Sequence, residues 1–187
     1  MSSTNRGGIR EVSDYYVTPI RDIVKFLVSW EDFPIIGPVS SILDPCAGGD
    51  ALNEMSYPLA LSGFGLNCDT IDIREDSKAA QVGDYLRIDC NDKYDLIITN
   101  PPFSLAQEIA RKAIAEVRPN GFVVLLLRLN FFGSQKRFSF WQNYPPYGIF
   151  VHSQRMSFTG GTTDSIEYMH CIWKKPCISQ NVIFKVI

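Results

Sequence analysis

Tyr94-Asp95-Leu96-Ile97-Ile98-Thr99-Asn100-Pro101-Pro102-Phe103 decides how the rest of the chain is read. Leu96, Ile97 and Ile98 form an apolar run of strand length with no polar alternation. That pattern belongs to a strand covered on both faces, as in a parallel sheet flanked by helices. Ligands of such sheets sit beyond the carboxyl ends of the strands, where Asn100 to Phe103 fall. Neither Pro101 nor Pro102 has a backbone N–H, so this turn offers carbonyl acceptors and the Asn100 side-chain oxygen with few competing donors. A substrate that donates through an NH2 group suits such a turn, and Phe103 adds a flat face for a flat ring.

Upstream, Ser40 to Asp44 reads as a short strand and Pro45 to Asp50 as a turn whose Gly48 and Gly49 let a ligand approach the backbone. A helix including Leu52, Met55 and Ser56 is expected after it. Leu66 to Ile71 is the next strand, closed by Asp72 about 28 residues after Asp44, close to the spacing of a nucleotide-binding unit. A carboxylate at that tip can accept both ribose hydroxyl hydrogens of a nucleoside, and Ile73 would flank its base. Downstream, Ser104 and Gln107 predict a capping box for a helix ending at Arg118-Pro119-Asn120-Gly121, and Phe122 to Leu127 predicts another buried strand. Near the start, Thr18-Pro19 opens a helix with Ile20, Ile23, Val24, Leu27 and Val28 at helical spacing. Gly148 to Ser153 and Glu167 to Trp173 read as strands joined by a loop through Gly160 to Ser165, and Asn181 to Ile187 as an edge strand. Strand and helix in alternation predict a doubly wound α/β sheet.

The 187 residues, 45% of them hydrophobic, suit one domain over 15–187 behind a mobile arm at 1–14, without a separate recognition domain. The formal net charge of -2 gives no global support for nucleic-acid binding, so any basic patch must be local. The one aromatic and basic cluster runs from Arg128 to Tyr147. Arg128, Phe132, Lys136 and Arg137 are its candidates for gripping unpaired nucleotides, although any single aromatic there is more readily explained by packing. Five scattered cysteines without a C-x-x-C pair, and two histidines, predict reduced thiols and no metal. Met1 to Arg10 lacks a signal-peptide core and Phe122 to Leu127 is too short to span a bilayer, which predicts a cytoplasmic protein without membrane partners.

Asn100-Pro101-Pro102-Phe103, together with Asp44-Pro45-Cys46-Ala47-Gly48-Gly49-Asp50 upstream, resembles the S-adenosylmethionine-dependent amino-methyltransferases, above all those acting on the N6 amine of adenine. The resemblance covers most of the chain. The small size and Tyr15-Tyr16-Val17-Thr18-Pro19 are most similar to phage or prophage DNA adenine methyltransferases. It implies a Rossmann-like class I methyltransferase fold: a mostly parallel seven-stranded sheet with an antiparallel terminal strand and helices on both faces. It implies catalytic roles for Asn100, Pro101, Pro102 and Phe103. It implies cofactor contacts from Tyr16, Thr18, Pro19, Asp44, Pro45, Cys46, Ala47, Gly48, Asp72, Ile73 and Asn100, and from Asp84 and Tyr85 in the Gly83-Asp84-Tyr85-Leu86 element. Without the family, that last element is merely a turn, and Tyr16 and Thr18 are a staple and a cap. DNA is the implied partner and a homodimer would fit. RNA adenine and protein glutamine remain alternatives, the latter usually accompanied by Asn-Pro-Pro-Tyr; a non-catalytic nucleic-acid-binding or partner module is the alternative from another class.

Overall fold

Leu96, Ile97 and Ile98 are wholly buried because helices cover the sheet from both sides. The computed structural model describes residues 16–37, 40–158, 165–178 and 181–187; the arm expected at 1–14 and Gly160 to Asp164 of the long loop lie outside them. One sheet contains β1 (Ile42–Asp44), β2 (Asp69–Asp72), β3 (Gln81–Val82), β4 (Leu96–Thr99), β5 (Phe122–Arg128), β6 (Gly148–Val151), β7 (Tyr168–Lys174) and β8 (Ile183–Val186). Their spatial order is β3-β2-β1-β4-β5-β7-β6-β8. From β1 the chain steps outward to β2 and β3, then returns to the other side of β1 as β4 and β5. The reversal between β1 and β4 is the topological switch point of an open α/β sheet, where a crevice opens at the strand ends.

Helices α1 (Ile20–Ser29) and α2 (Ser56–Ser62) cover one face, and α3 (Ala106–Glu116) and α4 (Phe138–Asn143) the other. Strand alternation divides the central run between them. Leu96 and Ile98 pack with Ile23, Phe26, Leu27 and Tyr57. Ile97 turns the opposite way, into a cluster with Ala110, Ala113, Val123 and Trp173. Burying each such aliphatic side chain contributes roughly 1.5–3 kcal/mol, so a charge at any of these positions would disrupt the layer it faces.

The sheet has eight strands where seven were expected. The extra one, β3, has two exposed residues, held by parallel pairing of Ile71 with Gln81 and Asp72 with Val82. The antiparallel strand is β7, inserted between β5 and β6, whereas the last strand, β8, lies parallel to β6 at the edge. The second helix starts at Ser56 and excludes Leu52, which is 93% exposed. Asp50 Oδ1 accepts from the Leu52 and Asn53 backbone N–H groups, a local turn that competes with helix there. The capping box does not form: α3 begins at Ala106 behind Leu105, with no side-chain cap. No helix among the described residues is long and apolar enough to cross a membrane.

Candidate active site

Asp44, Asp72 and Asn100 are delivered by one device, a buried strand that ends where a turn begins. Asp44 and Asp72 are the last residues of β1 and β2, and Asn100 follows the last residue of β4. They line a cleft of about 780 Å³, measured out to its open mouth, with Thr18, Pro45, Cys46, Ala47, Ile73, Asp84, Tyr85 and Pro102.

The Asp72 carboxylate organises the glycine turn. Its Oδ2 accepts from Gly48 N at 2.7 Å and its Oδ1 from Arg74 N at 2.9 Å, with the Arg74 guanidinium 3.4 Å from Oδ1. Arg74 Nη2 also donates to the Gly49 carbonyl at 2.6 Å. Asp72 is therefore a buried and paired carboxylate, with lone pairs left for further donors. Gly48 and Gly49 have φ of 66° and 74°, and a Cβ on Gly49 would come within 2.9 Å of Met55 Cγ. Only glycine fits this close approach.

Asp44 is 1% exposed. Burial raises its pKa to about 7; the Thr99 hydroxyl and the Cys46 N–H oppose this, while the nearby Asp72 charge adds to it. Around neutral pH it is thus shared between acid and carboxylate. Asp84 Oδ1 accepts from Leu86 N at 3.0 Å and starts the short helical turn Tyr85–Arg87. Ile73, 58% exposed, stands at the mouth, while Tyr85 is buried under it, its hydroxyl beside Glu116.

Asn100 carries the main chemical signal. Its Nδ2 donates to Thr18 Oγ1 at 3.0 Å, which fixes the amide plane. Its Oδ1 is buried without a hydrogen-bond partner among the described residues. A buried carbonyl oxygen without a donor is costly and marks a place where a ligand N–H fits. Thr18 does not cap α1, which has Pro19 at its N-cap and no side-chain cap bond; its hydroxyl holds Asn100 instead.

Several expected residues stand apart from the cleft wall. Gly48 contributes its N–H to Asp72, Pro19 caps α1, and Pro101 is buried. Phe103 is half-buried beside Tyr168, with the Arg128 guanidinium 4.3 Å from its ring centroid. One face of the Phe103 ring is therefore covered by Arg128. The other basic and aromatic candidates do not converge on it. Phe132 stacks on Trp141 at 4.5 Å, Arg137 lies over Phe131 at 4.2 Å, and Lys136 is exposed. Sequence reasoning missed Tyr57, Ser56, Arg74, Leu86, Leu105 and Ile109, all of which line the cleft. Only Arg74, two residues past Asp72, had a positional signal.

The mostly parallel sheet with antiparallel β7, its switch point and the cleft at the strand tips match the Rossmann-like fold of class I methyltransferases. No protein-family model and no curated protein sequence matches the chain. Solved structures do. One is a Listeria monocytogenes protein assigned as a class I S-adenosylmethionine-dependent methyltransferase, 18% identical with a TM-score of 0.64 over 96% of this chain and 68% of that one. Another, from Vibrio vulnificus, is assigned as the modification subunit of a type I restriction enzyme, 13% identical with a TM-score of 0.65 over 92% of this chain; the chain spans only 47% of it. A third is an RNA methyltransferase from Salinibacter ruber, solved with S-adenosyl-L-homocysteine, 14% identical with a TM-score of 0.52 over 88% of this chain and 96% of that one.

Proposed function

We propose that the chain transfers a methyl group from S-adenosylmethionine to the exocyclic N6 amine of adenine in DNA. The observation that carries this reading is the buried, unpartnered Asn100 Oδ1 beside Pro101-Pro102, its amide held by Thr18. The residues present fit the cofactor: Asp72 for the ribose hydroxyls, Ile73 and Asp84 for the adenine, and Asp44, Thr18 and Tyr16 for the methionine end. When bound, that cofactor supplies an electrophilic methyl group. The adenine amine is a poor nucleophile because its lone pair is delocalised into the ring. An acceptor on its hydrogens, Asn100 Oδ1, favours a pyramidal nitrogen and stabilises the positive charge that develops on it. An extruded base fits this arrangement better than a paired one. Entry onto Phe103 then requires Arg128 to leave that ring, and a phosphate of the extruded nucleotide is a natural partner for the released guanidinium. A restriction-enzyme modification subunit and an RNA methyltransferase occur among the proteins sharing the fold, which supports a nucleic-acid substrate.

The test is incubation with labelled S-adenosylmethionine and separate DNA, RNA and protein pools, followed by nucleoside and residue analysis. Label in N6-methyladenine from DNA is the expected result. Label confined to RNA or to glutamine would shift the substrate while keeping the role of Asn100; label on cytosine alone or on none would remove the reading.

A further inference from the structure

Tyr57, on α2, lines the cleft together with Asn100, and its hydroxyl lies 2.9 Å from His170 Nε2 on β7. His170 Nδ1 in turn lies 2.8 Å from His152 Nε2, just past β6. The three side chains are 2%, 0% and 5% exposed, so this is a continuous line of titratable groups inside the protein. Phe26 of α1 stacks on the His170 ring at 4.1 Å and 12°, which fixes the plane of its two nitrogens. Ile98 pairs with Val124 and His170 with Leu126, so Asn100 and His170 fall on the same sheet face with Leu126 between them. Two interstrand spacings, roughly 10 Å, separate such positions.

We propose that Tyr57, His170 and His152 are a proton relay that carries the proton released by amine methylation from the cleft to the outer end of β6. The proposal rests on the amine-methylation reading above. When an amine nitrogen attacks a sulfonium methyl, its lone pair becomes the new N–C bond and the C–S pair stays on sulfur. The nitrogen is left with one proton in excess. That proton binds the Tyr57 oxygen as the hydroxyl proton passes to His170 Nε2; the His170 Nδ1 proton passes to His152 Nε2, and one leaves from His152 Nδ1. One proton enters, one leaves, and no charge stays inside. Reorientation of the hydroxyl and exchange of the ring tautomers restores the starting polarity.

Such a relay needs neutral rings, and burial supplies them. It pushes His152 down to about 4, against a raising effect of Asp22, with Lys25 lowering it further; His170 lies well below the usual histidine range through burial and then through His152. Tyr57 is raised by burial and by the charge of Asp44, so it passes a proton without resting as phenolate. The groups facing the line are thus Asp22 and Lys25 on α1 at its outer end and Asp44 on β1 at its inner end. Asp22 is itself 4% exposed, with its Oδ2 buried and unpartnered.

The test compares wild type, Tyr57→Phe and His152→Gln in single-turnover transfer in H2O and D2O, and in NMR of 15N-histidine-labelled protein without cofactor. The NMR arm is expected to show neutral rings at pH 7 and exchange-protected imidazole N–H signals, with the His170 signal altered in Tyr57→Phe. Transfer should slow by roughly 10²-fold in both variants, the lower end for a positioned acid–base group, and acquire a solvent isotope effect that wild type lacks. His152→Gln, at the outer end, keeps the test alive if Tyr57→Phe fails to fold. Charged rings in wild type, or slower transfer without an isotope effect, would overturn the relay in favour of simple packing. Variants that match wild type in both solvents would do so too, and the methyltransferase reading would stand. A wild type that transfers no methyl group to any amine would sink that reading and the relay with it.

Discussion

Replacing Asp44 by Asn should make the protein more stable at alkaline pH and change its pH dependence in a calculable way. The folded-state pKa of about 7, against 3.8 in an unperturbed chain, is set first by burial. Because the folded pKa is the higher one, the native state holds this proton more tightly than the unfolded state. The associated stability is fully present below about pH 4 and is lost as pH rises to about 7. The shift of roughly 3 units corresponds to roughly 4 kcal/mol in all, of which about 3 kcal/mol falls between pH 5 and pH 8.5. Asparagine keeps an oxygen for the Cys46 N–H, 3.2 Å from Asp44 Oδ1, and removes the titration.

Urea unfolding at pH 5, 7 and 8.5 measures the difference between wild type and Asp44→Asn. The difference matters more than either curve alone. His152 and His170 have depressed pKa values, so they add stability as pH rises through the histidine range, the opposite trend. Both proteins share that contribution, and it cancels. The variant should gain about 3 kcal/mol on wild type between pH 5 and pH 8.5. Parallel curves over that range would show that Asp44 does not titrate where its burial says it must.

Asn100→Ala should lower methyl transfer by roughly 10²-fold or more while S-adenosylmethionine affinity, measured by calorimetry, stays within about threefold. Arg128→Ala should leave transfer to a free adenine nucleoside nearly unchanged but weaken oligonucleotide binding and reduce its salt slope by about one, because it removes one phosphate contact. Gly49→Ala forces a side chain into φ of 74° and against Met55, so thermal unfolding should show a loss of roughly 1–3 kcal/mol, with weaker cofactor binding.

Much of this site was legible because its residues obey a local rule. Asp44, Asp72 and Asn100 sit where an apolar run stops, and an apolar run can be seen in sequence. What was hidden depends on long-range geometry. Nothing around Ser56-Tyr57 shows that a helix residue reaches the cleft or meets a histidine 113 positions later. The two residues of β3 are exposed and paired through backbone alone, so they carry no hydrophobic pattern. The aromatic and basic cluster is hard to divide by sequence for a related reason. Phe131 and Phe140 are core and Phe138 is 66% exposed, yet composition marks all three alike. Phe103 and Arg128 each suit a nucleotide ligand, but residues that suit the same ligand also suit each other, and here they pair.

The charge balance of the cleft bears on what binds there and what leaves. Asp44, Asp72 and Asp84 all line it, and Arg74 is the basic side chain among the lining residues. Arg74 is paired with Asp72 and Arg87 lies 3.4 Å from Asp84, which leaves buried Asp44 as the carboxylate of the three without a basic partner among the described residues. A cleft biased in this way favours a cationic ligand over a neutral one of the same shape. A sulfonium donor meets that condition and its thioether product does not. Binding a cation also stabilises the ionised form of Asp44, so the site is most negative when the donor is present. On the proposed reading, that attraction would fall away with the thioether product, and Asp44 would return toward its protonated form. The same burial that makes this carboxylate costly in the free protein would then help the cleft prefer donor over product.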